Sequence, residues 1–289
     1  MTVIEAGRRL GRRPRQAAPA PGPFLTCAFG GGGPFGIAYA FGIVDTLAAA
    51  GVPVRTSSVL GTSAGSWVGA CLAGGVPFST LRDLPPLRLP DLRVGALQGL
   101  TSEVLGDARS AQVRAVAFRL STGKRLALSG AEHRLSDIVA ASSAVPWMFA
   151  PVRVGGHRYV DGGVRSLVSA DLAPAAEHLL AIAPIAGPMF GPAGQLMEVV
   201  LRRELRGWQK ATGGKSHLVR PNRAIADLAR RPQDLFDSEL VRAVYPLARS
   251  QAEHLLETRP GIAALVPGRT DRATSSGTAA NRPSTSDVA

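Results

Sequence analysis

The feature that most constrains this chain is a pattern that occurs twice near its beginning: a short apolar run, a cluster of glycines, then an apolar helix-forming segment. Residues 24–29 lead into Gly30-Gly31-Gly32-Gly33, and 36–50 follow as a helix closed by Gly51. Residues 57–60 lead into Gly61-Thr62-Ser63-Ala64-Gly65, and a helix of small residues then runs to Leu72, ended by Gly74-Gly75. A short run without a polar face suits a strand covered on both sides. Glycine just past the last helical residue is a stop signal. Strand, tight turn and helix in repetition direct the chain to the α/β class: a three-layer sandwich with a mostly parallel central sheet flanked by helices.

The remaining segments fit that class. Residues 113–120 and 125–128 read as a hairpin, and 135–144 as a short helix stopped by Pro146. Residues 152–154 and 157–160 flank Gly155-Gly156, a two-residue hairpin turn. A further apolar strand is expected over 178–185, and His217 opens a short strand after a glycine pair. Helices are expected over 191–211, 222–230 and 238–257, the last kinked at Pro246. Residues 76–100, interrupted by Pro77, Pro85, Pro86 and Pro90, should be irregular or form short helices. At 289 residues the chain can bury one large core, expected over 24–267, with disordered segments at 1–23 and 268–289.

The formal charge is +12, of which the two terminal segments carry +4 and +1, leaving +7 on the body. Such a balance favours an anionic partner, here a peripheral contact with an acidic membrane. Arginine outnumbers lysine thirty to three, which composition alone can produce. Nucleic acid is not expected, because no aromatic–basic motif accompanies the charge. Cys27 and Cys71 lie in apolar stretches and read as core thiols rather than a disulfide. No apolar run approaches the length of about 18–20 residues that spans a bilayer. The arginines at 8–9 and 12–13 are followed by no clean apolar segment before Pro21 and Pro23, so a cytoplasmic location is expected.

Three elements carry chemistry. The first, Gly61-Thr62-Ser63-Ala64-Gly65, is G-x-S-x-G between strand and helix, which lifts a serine hydroxyl out of the sheet and leaves free amides behind it. The second, Gly30 to Gly33 with Gly36 beyond, lets backbone amides converge on an anion without side-chain obstruction. A nucleotide-phosphate cradle is a poor reading of it. No Lys-Ser or Lys-Thr follows, and no acid stands at the spacing a ribose needs. The third is Tyr159-Val160-Asp161-Gly162-Gly163, an acid at a strand end before two glycines.

In this order the three elements resemble the patatin-like phospholipase family, as does the stretch Ala141-Ser142-Ser143-Ala144-Val145-Pro146 leading toward Asp161. The similarity covers roughly residues 24–185. It implies a lipid acyl hydrolase without cofactor or metal, acting on a lipid or other acyl ester. Ser63 would be the nucleophile and Asp161 its base, with the amides of Gly31, Gly32 and Gly33 holding the oxyanion; Gly30, Gly36, Gly61, Gly65, Gly162 and Gly163 would shape the turns. Two positions depart from the family. Phe35 stands where a cation is usual, which would argue for a neutral lipid if that cation binds phosphate. Leu167 stands where an asparagine is frequent.

Two rival readings remain open at this level. A Ser–acid–His triad would use Ser63, Asp161 or Asp171, and His217 or His254. A catalytically weak relative that binds lipid or protein would keep the fold without the reaction.

Overall fold

A computed structural model describes residues 22–268. The disorder expected for the terminal segments falls at 1–21 and 269–289, outside the described residues. In chain order the elements are β1 (Leu25–Phe29), α1 (Gly33–Ala49), β2 (Ser58–Thr62), α2 (Ala64–Gly74), α3 (Phe78–Arg82), α4 (Ala96–Leu105), β3 (Val113–Arg119) and β4 (Lys124–Ser129). Then come α5 (Leu135–Ser143), β5 (Val152–Val154), β6 (His157–Asp161), β7 (His178–Ile182), α6 (Pro192–Thr212) and β8 (Lys215–Val219). The chain closes with α7 (Arg223–Ala226), α8 (Ser238–Thr258) and α9 (Pro260–Ala263).

The fold is α/β, with a mostly parallel sheet between helical layers. Strands β3, β2, β1, β7 and β8 are parallel neighbours in that order. Every residue of β1 is buried, as a strand covered on both faces requires. Its alternate side chains feed two cores. Cys27 and Phe29 join α1, α2, α5 and α8 on one face. Ala28, with Leu60 and Leu179, packs on Leu201, Leu205 and Trp208 of α6 on the other. Both cysteines are free and buried, and burial pushes the Cys71 thiol up to about 12, so neither is a nucleophile at neutral pH.

Strand β3 joins the parallel part of the sheet to the antiparallel part. β4 pairs antiparallel along one side of β3, from Arg114 to Arg119. On the other side β2 covers Val113 to Val116, and β6 takes over from Ala117 to Arg119, running the opposite way. The C-terminal ends of β2 and β6 therefore face each other. Thr62 lies opposite Val116 and Asp161 opposite Ala117.

Several boundaries differ from the sequence reading. α1 begins at Gly33, because Pro34 is well placed in a first helical turn. The strand expected to reach residue 185 stops at Ile182, ahead of Pro184. The helix expected over 222–230 is a single turn, Arg223–Ala226, capped by the Asn222 side chain. α8 continues through Pro246. No described helix is long and apolar enough to cross a membrane.

Candidate active site

Ser63 sits between β2 and α2 with φ 52° and ψ −121°, a conformation that L residues avoid and that costs about 1–3 kcal/mol. Neighbouring groups hold it there. Its amide donates to Ser142 Oγ at 2.9 Å, and Ser142 Oγ donates to the Val116 carbonyl at 2.7 Å. Its carbonyl accepts from Ser66 Oγ at 2.6 Å and from the Ser66 amide at 2.8 Å. The flanking glycines are demanded by space. A Cβ at Gly61 would lie 2.5 Å from the Gly65 carbonyl oxygen, and one at Gly65 would run into the carbonyl of Phe29. The sharp turn works only where β1, β2 and α2 meet almost backbone to backbone.

Asp161 ends β6 and is 4% exposed. Its amide donates to the Ala144 carbonyl at 2.9 Å, and its Oδ1 accepts from the Gly163 amide at 2.6 Å. Burial raises the carboxyl to about 6; the nearby Ser63 hydroxyl and then the Gly163 amide, which donates to it, pull the other way. The structure thus brings Ser63 and Asp161 together, through the end-to-end meeting of β2 and β6.

The glycine loop lies against both. A Cβ on Gly31 would come 3.4 Å from Ser63 Cβ. Gly32 adopts φ 151° and Gly33 φ 57°, which only glycine holds without strain. The expected set of oxyanion donors needs one correction. The Gly31 amide donates to the Leu167 carbonyl at 2.8 Å, and Gly30 to that of Ile182 at 2.8 Å, so Gly31 is committed to holding the loop. Among the described residues the amides of Gly32 and Gly33 have no protein acceptor, and neither does Ala64 at the start of α2. Ala64, which the sequence reading did not name among the donors, follows the serine in G-x-S-x-G, where that motif leaves a free amide.

The departures from the family pattern acquire physical reasons. Phe35 is fully buried in the core, so a cation there would be buried with it, and its absence carries no information about a head group. Leu167 contributes its backbone: its carbonyl anchors Gly31, while the Val168 carbonyl accepts from Thr62 Oγ1 at 3.3 Å. One short loop ties the glycine turn to the strand that carries Ser63.

A cleft of about 230 Å³ opens beside this group. Gly31 and Gly163 form part of its wall, and Leu167, Val168, Ile185, Met197, Val200 and Leu201 make it apolar. The histidines lie elsewhere. β8 is three strands from β2 in the sheet, about 14 Å at roughly 4.8 Å per strand. There His217 Nε2 meets His178 Nδ1 at 2.9 Å. Burial, with His178 and Lys215 nearby, lowers His217 to about 4. His254 is exposed on α8 beside Arg220 and Arg259. Neither reaches Ser63, so a triad through them does not form in this geometry.

A family model described as patatin-like phospholipase matches residues 91–174. This stretch is similar to that family. It runs from the loop before α4 through β6 to the 3₁₀ turn at Ala170–Leu172, and it includes Asp161 but neither Ser63 nor the glycine turn. No curated protein matches the chain. A similar solved structure is VipD from Legionella pneumophila, at 13% identity over 82% of this chain and 67% of that one, with a TM-score of 0.43.

Ser142 stands in the run before Asp161 with nothing in the sequence to single it out, yet it is the acceptor that fixes the nucleophile turn. Ser142→Ala leaves the Ser63 amide and the Val116 carbonyl without their bridge. It should cost about 1–3 kcal/mol of stability, the penalty of unpaired buried polar groups. Chemical denaturation reads this directly.

Proposed function

We propose that this protein is a patatin-like lipid acyl hydrolase that cleaves carboxylic esters through an acyl-Ser63 intermediate, with Asp161 as the only acid–base partner. The observation that carries the reading is the meeting of a strained serine turn with a buried carboxylate beside free backbone amides and an apolar cleft. The family match over residues 91–174 supports a lipid acyl hydrolase in general terms.

In the first step Ser63 Oγ bonds to the ester carbonyl carbon while its proton passes to Asp161. The carbonyl oxygen becomes an oxyanion, received by the amides of Gly32 and Gly33, with Ala64 as a third donor. One such donor is worth about 3–4 kcal/mol in the transition state. Collapse breaks the bond to the alcohol, which leaves with the proton from Asp161. Water then attacks the acyl-enzyme, giving its proton to Asp161, and the fatty acid departs as Ser63 is restored. A carboxyl near pH 6 is ionised at neutral pH yet basic enough to accept a proton, as general-base efficiency asks. The acyl chain occupies the apolar cleft.

The test is covalent labelling of the folded protein by an alkyl fluorophosphonate. One label per chain at Ser63 supports the enzyme; folded protein that resists labelling points to a lipid- or protein-binding relative. His217→Ala keeps activity within about twofold under this mechanism, whereas a loss of about 10³-fold would restore the triad. Release of fatty acids from a mixture of phospholipids, lysolipids and acylglycerols then assigns the substrate.

A further inference from the structure

The outer side of α6 is not explained by folding. Its inner side packs Leu201, Leu205 and Trp208 into the core, and Trp208 Nε1 donates to the Ala173 carbonyl at 3.2 Å. The opposite side carries Leu196, Val199 and Val200, exposed by 67%, 62% and 42%. On the same side, one to three turns later, stand Arg203, Arg206 and Lys210, all exposed. At 100° per residue these six positions fall within one stripe about 120° wide. It extends about 21 Å along the helix.

No acid interrupts the stripe. Glu198 and Glu204 point away from it and are engaged, Glu198 with Arg202 and Arg220, and Glu204 with Arg125 and the Ala170 amide. Among the described residues Arg203, Arg206 and Lys210 form no ion pair, so their charge is available to a partner. Leu196, Met197 and Val200 also line the apolar cleft that Gly31 and Gly163 border. The apolar end of the stripe is therefore continuous with the mouth of the cleft.

We propose that the outer stripe of α6 docks the protein on an anionic phospholipid bilayer. Leu196, Val199 and Val200 enter the interface at the cleft mouth, and Arg203, Arg206 and Lys210 meet the phosphates further along. The charge argues for this occupant. An apolar patch followed by unpaired cations matches the acyl and head-group layers of such a surface, and the body of the chain carries a net positive charge. The proposal rests on the reading of the cleft as an acyl site, and it gives that enzyme direct access to lipid in a membrane.

Binding is read on Ser63→Ala protein, so that hydrolysis plays no part, by co-sedimentation with vesicles. One set is phosphatidylcholine alone and the other phosphatidylcholine with phosphatidylglycerol. Tight, salt-sensitive binding to the second set only is expected. Each cation near such a surface contributes about fivefold, so replacing Arg203, Arg206 and Lys210 together by Gln lowers binding by about 100-fold. Val199→Asn weakens it further, and neither change alters hydrolysis of a soluble short-chain ester in the Ser63 background. Equal binding to both vesicle sets, or undiminished binding by the triple variant, overturns the proposal. So does an oligomer that Val199→Asn dissociates while vesicle binding stays the same, which would assign the stripe to a second copy. Failure of the unmodified protein to hydrolyse any soluble ester would refute the hydrolase and leave this result standing.

Discussion

Ser63→Ala should lower ester hydrolysis by about 10⁴-fold or more, the scale on which loss of a serine nucleophile acts. The residue that remains in the turn has no oxygen to attack the carbonyl. The fold should not suffer, because the groups that hold the turn are backbone atoms of residue 63: its amide on Ser142 and its carbonyl on Ser66. Alanine keeps both bonds. The φ of 52° strains alanine as it strains serine, so the unfolding midpoint should move little. Initial rates on a soluble ester, together with a thermal melt, check both parts. A variant that lost activity by unfolding would say nothing about the nucleophile, and the melt distinguishes the two.

Asp161→Asn should abolish hydrolysis and at the same time stabilise the protein at neutral pH. The carboxyl titrates near 6 when folded, against 3.8 for the free group, and burial is the main cause. A carboxyl whose folded pKa is raised supports the fold at acid pH, where it is neutral in both states. That support is lost as pH rises through about 4 to 6, and above this the buried charge costs about 3 kcal/mol. Asparagine avoids this cost and can still accept from the Gly163 amide. The advantage of the variant should be near zero around pH 4 and reach about 3 kcal/mol around pH 8, as urea unfolding at the two pH values would show. Under the proposed mechanism, activity of the unmodified protein should run the other way, rising as Asp161 ionises through about pH 6. A variant no more stable than the parent at the higher pH would contradict the burial argument. Under the proposed mechanism function and stability oppose each other at this carboxylate, as is common where a site holds a charge out of water.

How far the sequence reaches can be judged residue by residue. The turn around Ser63 was legible because its cause is local: Gly61 and Gly65 stand where the backbones of β1 and α2 leave no room for a Cβ, and an apolar strand precedes them. The strands and most helices were legible through their apolar runs and glycine stops. Phe35 was legible as a departure but misleading as a substrate cue, since its burial depends on how α1 meets the core. Gly31 looked like a donor equal to its neighbours, and nothing nearby in sequence shows that the Leu167 carbonyl takes its amide.

By itself the sequence determined the class of the fold and marked a serine turn and an acid at a strand end as candidates, because short-range sterics and period leave their mark on neighbouring residues. Only the tertiary structure decided that β2 and β6 meet end to end along β3, that His217 lies three strands from the strand before Ser63, and that Gly32 and Gly33 keep amides free of any acceptor among the described residues. Those facts depend on hydrogen bonds between strands distant in the chain, and such pairings are chosen by the whole sheet rather than by any segment within it.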